Sequence, residues 1–232
     1  MEQNLLVFLW CIVSYLIGSI LFAIPITKFA IGKDIRKIGN LNPGTSNTMR
    51  NAGKIAGILT AILDITKGMI PIVIARIYLL KGDGFYDWFF LYLIGMSAVL
   101  GHCRPFWNKF KKGGGGMGTA VGVNCFFAPL EFSIAIILGV LIAFTFLKGA
   151  KFKFGRWVMM FASVIFPLLL LFINPFVNIS FFSHISFGGH STGIIAGSFC
   201  LLLELFILNS YDLFYWLRSP KNNLNTHRRG TN

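Results

Sequence analysis

The sequence predicts an all-α integral membrane protein, one polytopic domain over residues 1–232, with seven transmembrane helices and two long motif-bearing cytoplasmic loops. Three observations carry that prediction. Apolar residues of the AVILMFWYC class make up 55% of the 232 residues and charged residues only 12%, whereas a soluble chain is about 25% charged because its surface must be hydrated. The mean hydropathy is +0.71, and 25 phenylalanines are far too apolar for a disordered chain. Finally, the apolar residues fall in runs long enough to cross about 30 Å of hydrocarbon at roughly 1.5 Å per residue.

The runs are taken in order. The first covers about 5–29; no basic residue precedes it and no small-residue cleavage site follows, so it reads as a retained span rather than a signal peptide. The second covers 55–80 and the third 88–101. The stretch 119–147 is too long for one ordinary crossing and is interrupted by Pro129 and Glu131, which gives spans 119–129 and 131–147 around a tight turn. Spans at 157–173 and 191–217 complete the set, and 218–232 is a basic tail.

Charge tests the count. The chain holds 21 Lys and Arg against 8 Asp and Glu, a net +13. In a membrane protein such an excess collects in cytoplasmic loops, which is a simpler account than nucleic-acid binding. Six basic residues lie between Lys28 and Lys54, four between Arg104 and Lys112, four between Lys148 and Arg156, and four in the tail (Arg218, Lys221, Arg228, Arg229). Seven spans put all four groups on one side, with Glu2, Asp83, Asp87, Glu131 and Lys81 opposite. Six spans would move the 148–156 group across, against the positive-inside tendency. The expectation is a multi-pass protein of the bacterial cell (inner) membrane, N-terminus outside and C-terminus cytoplasmic. Cys11, Cys103, Cys125 and Cys200 are far apart and show no CxxC spacing, so no metal, redox centre or cofactor is expected and they read as small buried hydrophobes.

Three segments could carry chemistry. The loop 33–54 is much longer than a connection needs, and it gathers Asn40, Asn42, Pro43, Gly44, Thr45, Ser46 and Asn47 before Arg50 and Lys54. Such side chains and turns suit an anionic, oxygen-rich ligand, although a solvated loop that only sets topology has the same composition. Asp64 and Lys67 lie inside the second span at i, i+3, on one helix face. They form either a self-neutralising structural pair or a phosphate-contacting lysine oriented by Asp64. The loop 101–119 opens with His102, a ligand or simply a structural hydrogen-bonder. It then brings Lys111, Lys112, Gly113, Gly114, Gly115, Gly116, Met117 and Gly118 up to the start of the next span at Thr119. Bare amides at a helix N-terminus can cradle a phosphate, yet a glycine run is equally a flexible linker, and GxxxxGK[ST] is absent. Glu204, in the last span, should face the bundle interior. His184 and His190 look incidental, and Asp212 is placed to pair with Arg218.

In order, GSILF (18–22), GNLNPGTSNTMR (39–50), LDITKG (63–68), GHCRPFW (101–107) and KGGGGMGT (112–119) together resemble the acyl-phosphate:glycerol-3-phosphate acyltransferase family of bacteria, the PlsY type. The resemblance covers about residues 14–122 in order and spacing, with one extra residue near Lys111. The family pattern reads GSGNxGATNxxR, D-x-x-KG and GHxxPxF…KGGKGVAT. Several positions depart from it. Asn40-Leu41 stands for Ser-Gly, Thr45-Ser46 for Ala-Thr, and Gly115 for a lysine. Lys153-Phe154-Gly155 stands for a late Ser-Leu-Gly. The Arg-His…Asn pattern of the last helix reads Asn209 to Leu213, with Ser210 and Leu213 at altered positions.

The resemblance implies a fatty acyl transfer from acyl phosphate to the hydroxyl of glycerol 3-phosphate, giving lysophosphatidic acid for phospholipid synthesis. No strong nucleophile is needed, since positioning and neutralising two phosphates supplies the rate. It implies acceptor contacts from Ser19, Asn42, Ser46, Asn47 and Arg50. It also implies phosphate contacts from the amides of 113–116 with Lys112 and Lys67, and an acyl groove open to membrane lipids. Gly44, Lys54, Asp64, His102 and Thr119 complete the candidate substrate-binding set. The altered positions leave two alternatives, a paralogue with another acceptor and a non-enzymatic transporter or scaffold.

Overall fold

In the computed structural model the described residues are 2–146, 154–173 and 192–218, and every regular element among them is helical. The predicted basic cluster at 148–153, His184, His190 and the tail beyond 218 lie outside the described residues. So do the side chains of Arg156, Asp212, Leu213 and Arg218. Four helical stretches are each long and apolar enough to cross a membrane: Glu2–Ile31, Lys54–Tyr78, Phe85–Asn108 and Thr192–Ser210. Three shorter apolar helices join them, at Met117–Phe127, Pro129–Thr145 and Phe161–Phe172.

The first predicted span is not one helix. Helix α1 (Glu2–Gly18) ends, residues 19–22 run non-helically, and α2 (Ala23–Ile31) begins. Pro25 is the physical reason. In a continuous helix its ring would collide with the carbonyl of residue 21, whereas in the first turn of a new helix its missing N–H goes unnoticed. Gly32 then stops α2 in the left-handed conformation (φ 69), its N–H bonded to the Lys28 carbonyl.

The segment 33–53 is also more than a loop. It contains a 3-10 turn (Ile35–Lys37) capped by Asp34, and an eight-residue helix α3 (Thr45–Ala52). The helices therefore outnumber the predicted spans. Gly53 (φ 100) separates α3 from α4 (Lys54–Tyr78). A side chain at Gly57 would collide with Met49, so glycine there lets α3 lie on α4.

Helix α5 (Phe85–Cys103) is the core, packing against α1, α4, α6 (Met117–Phe127) and α9 (Thr192–Arg218). Helix α1 meets it backbone to backbone. Added side chains at Gly18 and Gly101 would strike the Ala98 and Tyr15 carbonyls, and Ser14 Oγ donates to the Ile94 carbonyl at 2.6 Å. Small residues at such seams are what membrane helices use to approach closely. Tyr92 stacks on Phe127 with ring centroids 3.8 Å apart. The break between α6 and α7 (Pro129–Phe146) falls at Ala128, two residues before the turn expected between spans 119–129 and 131–147. Glu131, expected from charge counting on the outer side, is 1% exposed in the first turn of α7. Helix α7 pairs chiefly with α8 (Phe154–Ile173) as a lateral hairpin. At the end of α4 distant from residues 33–53, Arg76 bonds Asp83 at 2.6 Å and lies 4.5 Å over the Trp88 ring.

Candidate active site

The break in the first span does chemical work. A non-helical segment frees backbone carbonyls, and that of Ile20 accepts a 2.6 Å hydrogen bond from Lys67 Nζ. Lys67 also pairs with Asp64 at 2.9 Å and lies 5.6 Å over the Phe22 ring. Both charged side chains are almost wholly buried (2% and 3% exposed). Buried charges survive only when paired and hydrogen-bonded, and here the break supplies the extra acceptor. His102 closes the cluster, with Nδ1 3.6 Å from the Asp64 carboxylate, too long for a hydrogen bond.

The glycine run is shaped by the end of α5. Gly113 N–H donates to the Cys103 carbonyl (2.8 Å) and Gly114 N–H to the His102 carbonyl (3.1 Å). A methyl group at Gly114 would collide with His102 Nε2, so only glycine fits there. These bonds correct the reading of the run as a uniform cradle, since two of its four amides are spent closing the loop. The amides that remain for an anion are those of Gly115 and Gly116 and of the first turn of α6, for which Gly116 (φ 76) is the N-cap. That is where the helix dipole favours negative charge. Gly118 lies against Asp64, and the Thr119 carbonyl against Gly68 of α4, so the loop and the ion pair share one wall. Asn209 reaches in from α9 to donate to the Gly115 carbonyl at 3.2 Å. Glu204 is partly buried one turn earlier on that helix.

Ser19 and Asn47, read from sequence as acceptor contacts, are already engaged. Ser19 Oγ donates to the Tyr15 carbonyl (2.8 Å) and accepts from Phe106 N–H (3.2 Å), tying the helix break to the second loop. Asn47 Oδ1 accepts from Asn40 N–H (3.1 Å) and Asn51 Nδ2 (2.9 Å), while its Nδ2 donates to the Ile35 and Ile38 carbonyls (3.3 and 3.1 Å). That fills the hydrogen-bonding capacity of an amide side chain. Both residues are braces in this structure. Asn42 is half-buried beside Gly44, Ser46 and Arg50 are exposed one turn apart on α3, and Lys54 is exposed at the start of α4. Lys112 is exposed immediately before the glycines.

The buried cluster thus brings together Ser19, Asp64, Lys67, His102, Gly113 to Gly116 and Thr119, and is built without Asn42, Ser46 and Lys54. Sequence reading missed the Ile20 carbonyl, Tyr15, whose hydroxyl bonds the Arg104 carbonyl, and Asn209 as a tie to the glycine loop. Pro25 was the available signal for the first. Outside the membrane stretches, the Arg36 hydrogen bond holds the Asp34 carboxyl below its ordinary range.

Comparisons with known proteins place the whole chain. A family model described as glycerol-3-phosphate acyltransferase matches residues 8–215. The chain is 36% identical over 172 residues to the glycerol-3-phosphate acyltransferase of Pelagibacter ubique, covering 72% of this chain and 80% of that protein. It is 39% identical over 138 residues to glycerol-3-phosphate acyltransferase 2 of Bacillus cereus, covering 60% and 66%. Among solved structures it is similar to PlsY, an integral membrane glycerol 3-phosphate acyltransferase, in its glycerol 3-phosphate form. There the TM-score is 0.66 at 27% identity, covering 91% of this chain and 92% of that one.

Proposed function

The chain belongs to the glycerol-3-phosphate acyltransferase family, and from that premise we propose how it works in the membrane. It is a multi-pass membrane transferase that acylates glycerol 3-phosphate to lysophosphatidic acid, and its acyl donor is an acyl phosphate. The acceptor hydroxyl oxygen attacks the acyl carbonyl, the bond from that carbon to the phosphate oxygen breaks, and inorganic phosphate leaves with the hydroxyl proton. A mixed anhydride carries its own leaving group, so the protein's task is to align two anionic substrates and offset their repulsion.

The observation that carries this reading is the convergence of the break in the first membrane stretch and the second motif-bearing loop on one buried ion pair: Lys67 on the Ile20 carbonyl, and Asp64 beside His102 and Gly118. In this proposal the amides of Gly115, Gly116 and the first turn of α6 meet a phosphate with Lys112, and one Lys67 proton reaches toward it. Asn42, Ser46 and Arg50, with Lys54, hold the acceptor. Ser19, Asn47 and Gly44 keep those groups in place.

The four long and three shorter apolar stretches are seven crossings of the bacterial inner membrane, N-terminus outside. This rests on the basic residues sharing one side. A cysteine at Lys109 in intact cells should resist an impermeant thiol reagent that modifies one at Asp83; equal labelling rejects the topology. The function is tested with purified protein in detergent or lipid. Phosphate release from a long-chain acyl phosphate should require glycerol 3-phosphate and match lysophosphatidic acid formed. Acylation from another donor with acyl phosphate inert would overturn the donor assignment.

A further inference from the structure

A second cationic site stands apart from the ion pair, where α2 leaves the first membrane stretch. Gly32 turns the chain back so that the 3-10 turn Ile35–Lys37 packs against α2. A cleft of about 600 Å³ opens between them, lined by Lys28, Lys33, Arg36 and Lys37, by Asp34, and by the apolar side chains of Ile24 and Ile38. Arg36 and Asp34 cancel each other in a 2.7 Å pair. Arg36 holds the Asp34 carboxyl below its ordinary range, so that pair persists at neutral pH. Lys28, Lys33 and Lys37 are left as the uncompensated charge of the cleft.

We propose that this cleft binds the headgroup of an anionic bilayer phospholipid. Its phosphate lies among Lys28, Lys33 and Lys37, and its glycerol and first acyl carbons lie against Ile24 and Ile38. Charges that only orient a protein in a membrane need not converge on a cavity, and these three do. The apolar part of the lining favours a lipid over a free phosphate ion, as does the setting. Phe29, next to Lys28, is 96% exposed at the end of an apolar stretch, where a bilayer would cover it. The cleft is also connected to the first motif-bearing loop, because Asn47 bonds the carbonyl of Ile38 in its wall and that of Ile35 in the same turn. A bound headgroup would hold that turn from the outer side while Asn47 holds it from within.

The test is native mass spectrometry of the full chain released from bilayer nanodiscs containing phosphatidylcholine and phosphatidylglycerol. Wild type should retain one phosphatidylglycerol in preference to phosphatidylcholine. A Lys28→Gln/Lys33→Gln/Lys37→Gln variant should lose that preference by about tenfold or more, given the strength of single lysine–anionic lipid attractions. A Lys109→Gln/Lys111→Gln variant, with nearly as much charge removed elsewhere, should keep it. All substituted residues are exposed, so folding is expected to be retained, and a matching thermal melt verifies that. Equal retention by wild type and triple variant overturns the site. Equal loss in both variants reduces the effect to bulk charge and overturns it too. Displacement of the lipid by millimolar inorganic phosphate would make this a free-anion site and overturn the lipid assignment. None of these readouts depends on acyl transfer, so they stand or fall separately from the catalytic reading.

Discussion

The two motif-bearing segments have diverged from the family pattern in opposite ways. In the first, Leu41 occupies a position where the family pattern has glycine, and its backbone is left-handed (φ 62). In the second, Gly115 occupies a position where the pattern has lysine. Its backbone needs no glycine, and an added Cβ would meet only Asn209 Oδ1, at 3.5 Å. One segment keeps a glycine-type conformation without the glycine; the other has a glycine where a side chain fits. The first is held by side chains, Asn47 above all, and can bear a strained residue. The second is held by backbone bonds from Gly113 and Gly114 to the end of α5, which do not depend on the residue at 115. Where a segment's hydrogen bonds originate thus decides which substitutions it tolerates.

The largest effect is expected at the buried ion pair against which the second segment packs. Lys67→Met strands the buried Asp64 carboxylate and should cost about 3–5 kcal/mol. Asp64→Leu/Lys67→Met should recover folded protein, seen in thermal melts, without recovering acyl transfer. A double variant that binds glycerol 3-phosphate as tightly as wild type would make the pair purely structural.

Next comes the brace. Asn47→Ala leaves the Ile35 and Ile38 carbonyls and Asn40 N–H without their partner, at about 1–3 kcal/mol. The melt should fall by several degrees and the KM for glycerol 3-phosphate should rise more than kcat falls. An unchanged KM would mean the first segment is held by something other than its side chains.

Gly115→Lys should restore a charge-assisted contact to phosphate. Such a bond is worth about 1.5–3 kcal/mol, or roughly one to two decades in KM for glycerol 3-phosphate. A folded variant that gains nothing shows that Lys111 or Lys112 already fills the role.

The smallest change is Leu41→Gly, which removes a left-handed penalty of roughly 1–2 kcal/mol but adds unfolded-state freedom of similar size. A net stabilisation of under about 1 kcal/mol is expected, read as a small rise in the melt. A clear destabilisation would show that the Leu41 side chain, although exposed, packs on something in the membrane setting.

The membrane class and the existence of a break near Pro129 were legible because hydropathy and proline act locally. The helix break was not, since the apolar run continues through it and only Pro25 marks it. Helix α3 was missed because its inward residues, Asn47 and Thr48, are as polar as its outward ones, Ser46, Arg50 and Asn51, so no apolar period betrays it. The cluster Asp64–Lys67 was found from charge in a span, but its third member is a backbone carbonyl, which leaves no trace in residue type. The split role of the glycines was hidden for the same reason.

Helix α1 has a consequence for the order in which the protein is made. Three of its polar side chains find partners on segments synthesised later: Trp10 Nε1 on the Pro71 carbonyl, Ser14 on Ile94, and the Tyr15 hydroxyl on Arg104. A nascent α1 therefore enters the bilayer with these donors unmatched, and must wait for α4 before the first is taken up and for α5 before the other two are. Its entry rests on hydropathy alone, and its final seat is fixed only when α5 emerges from the ribosome and offers its backbone to Gly18.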